Sequence, residues 1–116
     1  MDNYELQTDK EKMVEHESGA KRESKSGKGR YDLIPPCAIK RLAVVYEKGA
    51  VVHGDRNYEK GLSVTRTMDS AIRHCFEYLD GDDSEDHAAQ ACWNLFAVMF
   101  FEKHRPEMQD IPTRKK

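Results

Sequence analysis

The stretch 49–61 is the part of the chain richest in side chains that can bind or react. It combines three glycines with five charged or amide residues. Glycine allows a backbone to turn sharply and to approach a ligand closely, and binding residues are often carried on loops. We therefore predict that Asp55, Arg56 and Asn57 bind a small, charged ligand.

His74 and Glu77 are three residues apart and would lie on one turn of a helix. An imidazole and a carboxylate in this arrangement can bind a metal ion. Any charged helix face produces such pairs, so a solvated face with ion pairs such as Asp69–Arg73 is the alternative. His74 lies beside the apolar stripe of its segment rather than opposite it, which favours an inward orientation.

Three polar residues interrupt the apolar segment that follows. His87, Gln90 and Asn94 recur at i, i+3 and i+7, so they share one face of a helix. Because buried polar groups need partners, this face predicts either a polar seam between subunits or the wall of a ligand pocket. In a pocket, these side chains would contact a base, a sugar or a metal-bound water.

Two further places offer charge in a suitable setting. Glu47 lies in an apolar neighbourhood and could bind Mg²⁺, which prefers oxygen ligands; the alternative is a surface ion pair with Lys40 or Lys48. Lys28 and Arg30 lie on glycine-containing backbone and suit phosphate oxygens. The alternative for this pair is a solvated basic linker, and its spacing is not that of a P-loop.

Three helices must position these residues. Apolar spacing and the flanking proline and glycine residues predict helices over 36–52, from 63 or 65 to 80, and from an N-cap at Ser84 to about 105. Gly54 and Gly81 end the first two helices, and Pro106 ends the third. Their expected inward residues are Ile39, Leu42, Ala43 and Tyr46 on the first helix and Met68, Ala71, Ile72, Cys75 and Leu79 on the second.

The ends of the chain are polar. We expect an arm over residues 1–30, a helical domain over 31–105 and a tail over 106–116. Thr8-Asp9-Lys10-Glu11 predicts a capping box that opens a short helix. Residues 19–30 are rich in Gly, Ser, Lys and Arg and should be disordered when alone.

Composition restricts the class of protein. The formal net charge of −2 argues against a general nucleic-acid-binding role. No apolar run reaches the roughly 20 residues of a membrane helix, and the polar start predicts no signal peptide. The three cysteines are widely spaced, which indicates reduced thiols in a cytoplasmic protein.

The third helix is apolar on nearly every side. A helix of this kind must be covered all round, so we predict a homo-oligomer whose subunits share a helical core. Trp93 is expected in that core, with base stacking as the alternative.

Several segments resemble, in order, a phage-associated family described as dATP/dGTP diphosphohydrolase, N-terminal domain. They are Gly19–Glu23, Gly27–Pro36, Tyr46–Ala50, His53–Gly61, Arg73–His74 and Glu85–Asn94. The resemblance spans about residues 19–104. The family is distantly similar to the MazG-like all-α nucleotide pyrophosphohydrolases, which form helical dimers or tetramers. It implies an all-α, MazG-like helical bundle with a flexible basic N-terminal segment, assembled as a homo-oligomer.

The resemblance also implies a metal-dependent hydrolase that releases pyrophosphate from purine (deoxy)nucleoside triphosphates in the host cytoplasm. Mg²⁺ or Mn²⁺ would be held by Glu47, Glu77 and Asp86, and water would be oriented by His74 or His87. The residues expected to bind the nucleotide are Lys28, Arg30, Asp55, Arg56, Asn57, Arg73, Gln90 and Asn94, with an asparagine reading the base.

One departure supports an alternative function. Where MazG-like helices carry their second acidic pair, this chain has His87 and Gln90. The loss of these carboxylates favours a non-catalytic phage sponge that sequesters a cyclic-nucleotide immune signal without a metal. A third alternative is a helical protein that binds nucleic acid or a partner through residues 21–30, which the net charge weakens.

Overall fold

The computed structural model describes residues 13–15, 18–24 and 26–115 and divides the chain into two compact units, 1–34 and 35–116. The first unit contains two short antiparallel strands, β1 (Met13–Glu15) and β2 (Lys21–Glu23). The sequence did not indicate these strands. Gly19 between them has φ of 87°, a left-handed conformation that glycine adopts readily. The capping box at residues 8–11 lies outside the described residues.

The second unit is helical and confirms the all-α fold class. It consists of α1 (Pro36–His53), α2 (Val64–Leu79) and α3 (His87–His104), with short 3₁₀ turns at Asn57–Lys60 and Pro106–Met108. In the described part of the chain, no helix has both the length and the hydropathy needed to cross a bilayer.

Local chemistry sets the ends of α1 and α2. Pro36 stands in the first turn of α1, and Gly54 ends that helix with φ of 91° while its N–H donates to Ala50. The Ser63 hydroxyl accepts the Arg66 N–H at 3.2 Å and so caps α2. Gly81 follows the end of α2 with φ of 85°. These stops agree with the predicted ones.

The start of α3 differs from the prediction. Asp86, not Ser84, is the N-cap, and its carboxylate accepts the Ala89 N–H at 3.2 Å. The Ser84 hydroxyl instead donates to Asp82 at 2.8 Å. Both Ser84 and Asp86 can cap a helix, and Asp86 does so because it directly precedes His87, the first residue of α3.

The core lies where α3 packs against both other helices. Val64, Ala97 and Phe101 form its buried centre. Trp93 is half-buried against this centre, with its ring 6.1 Å from those of Tyr46 and Tyr58. This position confirms the expectation that the tryptophan belongs to the core.

The inward faces are narrower than predicted. On α1 only Leu42 and Val45 are buried, while Ile39 and Ala43 are exposed. On α2 the buried residues are Val64, Thr67, Ala71 and His74, and Ile72, Cys75 and Leu79 are exposed. The three helices of one copy therefore cover only part of the apolar stripes on α1 and α2. All three cysteines are free and exposed.

Candidate functional site

Two histidines meet in the interior where the end of α2 faces the start of α3. His74 and His87 are 6% and 2% exposed, and their Nδ1 atoms lie 2.9 Å apart. Glu77, one turn after His74 on α2, places Oε2 3.3 Å from Nδ1 of His87. The ligand atoms of these three residues all lie within 4.8 Å of one another. We call this group the His–Glu cluster.

The far side of His87 is held by a carboxylate. Its Nε2 forms a short hydrogen bond with Asp82, on the turn between α2 and α3. Because a carboxylate only accepts, Nε2 of His87 must carry the proton of this bond. This hydrogen bond raises the pKa of His87 above its ordinary value, and the histidine together with Ser84 lowers the pKa of Asp82.

The near side of His87 faces two residues of α2. With its proton on Nε2, a neutral His87 has a lone pair at Nδ1, which can accept a hydrogen bond from Nδ1–H of His74 at 2.9 Å. The carboxylate oxygen Oε2 of Glu77 lies 3.3 Å from the same nitrogen. A cation could take the place of the proton between the two histidines and would then also attract Glu77.

His74 is suited to be a neutral ligand. Burial lowers its pKa, and the neighbouring charge of Arg73 lowers it further. Arg73 also donates from Nη1 to Oε1 of Glu77 at 3.2 Å, which leaves the other oxygen of that carboxylate directed to His87. Arg73 thus orients a cluster residue.

A pocket of about 440 Å³ adjoins the cluster and shares His87 with it. Its cationic side chains are Arg41 and Lys48 from α1. Its remaining lining residues are the carboxylates Asp82, Asp83, Glu85 and Asp86, with Tyr78, Ser84 and Ala88. The pocket is therefore formed by α1 and by both sides of the α2–α3 turn.

Arg41 is the most strongly oriented cation in this pocket. Its guanidinium makes two parallel hydrogen bonds to the Asp86 carboxylate, at 2.9 and 2.6 Å. The pair raises the pKa of Arg41 and lowers the pKa of Asp86. Because a guanidinium matches phosphate as well as carboxylate, Arg41 can exchange one anion for the other.

The residues that the sequence predicts for the site do not all lie in one place. His74, Glu77 and His87 come together, and Asp86 lies in the adjoining pocket. Asn94 is buried and donates from Nδ2 to the Gln90 carbonyl within α3 at 2.9 Å. Gln90 is half-buried.

The other predicted residues lie elsewhere. Asp55 is exposed, and Arg56 donates from Nη1 to Glu59 at 3.1 Å. Asn57 opens the 3₁₀ turn whose Tyr58 packs on α3. Glu47 is exposed on α1.

In the first unit, two predicted phosphate contacts have acidic neighbours. Lys28 Nζ lies 3.0 Å from Glu23, and Arg30 makes two 2.8 Å hydrogen bonds to Asp32.

Sequence reasoning missed Arg41 and Asp82 as site residues. Arg41 occurs in a helix with other cations, and nothing local distinguishes it. Asp82 belongs to the acidic run 80–86, which indicated only a favourable start for α3. Both become visible only when the α2–α3 turn brings residues from three helices together.

Comparison with known proteins places the chain in a family. The sequence profile described as dATP/dGTP diphosphohydrolase, N-terminal, matches residues 18–111. No curated protein and no solved structure shows a significant match. The profile match covers both the His–Glu cluster and the pocket, and the chain belongs to the dATP/dGTP diphosphohydrolase N-terminal family.

Proposed function

We propose that this protein is a metal-dependent diphosphohydrolase that acts on purine (deoxy)nucleoside triphosphates such as dATP and dGTP. The observation that carries the proposal is the sharing of His87 between the His–Glu cluster and the pocket with Arg41 and Lys48. His87 thus lines the same pocket as two potential phosphate partners, while His74 and Glu77 lie beside the pocket.

The charge of the pocket supports a role for metal. Four carboxylates line it against two cations, Arg41 and Lys48. A triphosphate carries several negative charges, so it would be repelled from this lining unless divalent cations accompanied it. This balance favours a metal-bound nucleotide over the metal-free sponge as the occupant.

Each group of residues then has a part in the reaction. His74, Glu77 and His87 would hold a divalent cation, which would supply Lewis-acid polarisation of a phosphoryl oxygen. Arg41 would leave Asp86 for the phosphates, and Lys48 would add a second cation. In this proposal the two histidines are ligands rather than water-orienting groups.

Product analysis tests the proposal. The protein is incubated with dATP, dGTP, dCTP, dTTP and cyclic nucleotides in the presence of Mg²⁺, Mn²⁺, Co²⁺ or Zn²⁺, and products are separated by ion-exchange chromatography. Release of pyrophosphate and a deoxynucleoside monophosphate from purine substrates is expected. Depletion of a nucleotide that is recovered intact after denaturation would support the sponge. No change in any nucleotide would overturn both.

A further inference from the structure

We propose that the His–Glu cluster is a site for a transition-metal dication such as Zn²⁺ or Co²⁺ rather than for Mg²⁺. The inference deepens the proposed function, since it names the metal class of the same site. It rests on the identity of the donor atoms, their burial and their outer partners.

The donor atoms set the preference. Two imidazole nitrogens, from His74 and His87, and one carboxylate oxygen, from Glu77, lie within 4.8 Å of one another. Mg²⁺ takes oxygen ligands and gives up its water reluctantly. Imidazole nitrogen suits first-row transition ions, and two histidines with one carboxylate are a recurring donor set for them.

Both histidines are more than nine-tenths buried, so few water molecules can reach their ring nitrogens. A hydrated Mg²⁺ ion would have to lose much of its water shell to enter between them. Zn²⁺ and Co²⁺ lose water as well, but imidazole nitrogen is a better replacement ligand for these ions than for Mg²⁺.

The outer partners are those of a metal-binding histidine. Asp82 accepts the proton on Nε2 of His87, which fixes the ring and leaves Nδ1 as the donor. A carboxylate in this position is typical of histidine ligands. Arg73 holds the second oxygen of Glu77 at 3.2 Å.

A dication would also suit the donor atoms that converge in the cluster. Nδ1 of His87 lies 2.9 Å from Nδ1 of His74 and 3.3 Å from Oε2 of Glu77. A metal ion at this point would take the place of the proton between the two histidines. The carboxylates of Glu77 and Asp82 would offset its two charges.

Metal titration without nucleotide tests the inference separately from the proposed function. Zn²⁺, Co²⁺, Mn²⁺ and Mg²⁺ are titrated into the chelator-treated full chain by calorimetry, with a competing chelator for tight binding. We expect Zn²⁺ and Co²⁺ to bind tighter than Mg²⁺ by roughly 100-fold or more. Bound Co²⁺ should also give visible absorption bands and shift the imidazole NMR signals of His74 and His87. If Zn²⁺ and Co²⁺ bound no more tightly than Mg²⁺, the inference would be overturned.

Two variants identify the site. Glu77→Gln should lower the Zn²⁺ affinity by at least about tenfold, whereas Glu47→Gln, which changes an exposed carboxylate on α1, should leave it unchanged. Because Glu77 is only half-buried, its variant should fold, which circular dichroism checks. The inference would be overturned if Glu47→Gln lowered the Zn²⁺ affinity and Glu77→Gln left it unchanged. Hydrolysis supported by Mg²⁺ alone, without Zn²⁺ or Co²⁺ binding, would overturn it while leaving the proposed function standing.

Discussion

His87 is the residue on which the site depends, because its two ring nitrogens face different chemistry. Nε2 donates to Asp82 on the turn, while Nδ1 faces His74 and Glu77 on α2. Its position at the first residue of α3 allows both contacts, since the turn returns beside it while α2 packs against it. One imidazole therefore joins the cluster to the pocket.

Asp82 is a positioning residue, and its replacement should weaken metal binding. Asp82→Asn should lower the Zn²⁺ affinity by about 10- to 100-fold, because the carboxylate that holds Nε2 of His87 is lost. Asp83→Asn is the matched control, since it removes the same charge from the pocket at the adjacent position. Calorimetric titration measures both affinities. Equal losses in the two variants would indicate a general charge effect and contradict a specific role for Asp82.

Variants of Arg41 and Arg56 can show whether the nucleotide binds in the pocket or at the glycine-rich loop. Arg41→Gln should lower the affinity for a non-hydrolysable dGTP analogue by about 10- to 100-fold, as expected for a charge-assisted contact of about 1.5–3 kcal/mol. Arg56→Gln should have no such effect, because Arg56 lies on an exposed turn and does not line the pocket. Fluorescence titration compares the two. Loss of affinity only in the Arg56 variant would return the site to the loop.

At the scale of the elements, Asp86 connects the start of α3 to α1. Its carboxylate caps α3 through the Ala89 N–H and also binds Arg41. Asp86→Ala should lower the free energy of unfolding by about 1 kcal/mol from the cap, or roughly 4–8 °C in Tm. Asp86→Ser should recover most of this stability, because a serine hydroxyl also caps a helix. The recovery should be incomplete, because serine cannot make both hydrogen bonds to Arg41. Thermal unfolding followed by circular dichroism measures both. If serine stabilises no better than alanine, the cap contributes little.

The residues after α3 are fastened to the start of α2. Asp110 accepts hydrogen bonds from the Ser63 hydroxyl and from both the N–H and the hydroxyl of Thr65, the latter two at 2.8 Å. These bonds lower its pKa from 3.8 to about 2. A carboxyl that is more acidic in the folded state stabilises the fold above its unfolded pKa, and this stabilisation is lost as the pH falls through the folded pKa.

A pH series tests this attachment. The Tm difference between the native chain and Asp110→Asn should be full above about pH 4 and should close as the pH falls toward 2. Asp69→Asn, on an exposed face of α2, is the control and should show no comparable closing. Differential scanning calorimetry provides the values. A difference that stays constant from pH 6 to pH 2 would show that the carboxylate charge is not what holds the tail.

The same elements show how far local sequence reaches. Pro36 in the first turn of α1, and the glycines that follow α1 and α2 with positive φ, located these helix ends within one or two residues. The spacing of His74 and Glu77 indicated their shared helix turn. No local signal could bring in His87, thirteen residues after His74, because that contact depends on how α2 and α3 pack. In the loop 49–61, Arg56 pairs with Glu59 within its own turn, and a role of this loop in ligand binding stays a prediction.

At the scale of the whole molecule, the helical unit has a small interior and much uncovered apolar surface. Only Phe101 and Val64 are large side chains with almost no exposure among the described residues. By contrast, Phe76, Leu79 and Val51 are 66%, 77% and 82% exposed. Phe76 and Leu79 are three residues apart and share one face of α2, and adjoining exposed apolar side chains are typical of association surfaces. The prediction of a homo-oligomer therefore keeps its physical basis.

A single charge on this surface should separate association from folding. Phe76→Glu should shift the protein to a lower oligomeric state in sedimentation velocity while leaving its circular dichroism spectrum unchanged, because Phe76 contributes little to the interior of one copy. Arg66→Glu introduces the same side chain on an exposed polar position of α2 and should leave the oligomeric state as it is. A native chain that sediments as a monomer would contradict the prediction. So would a Phe76→Glu variant that keeps the native oligomeric state, since the partner would then have to lie against a different face.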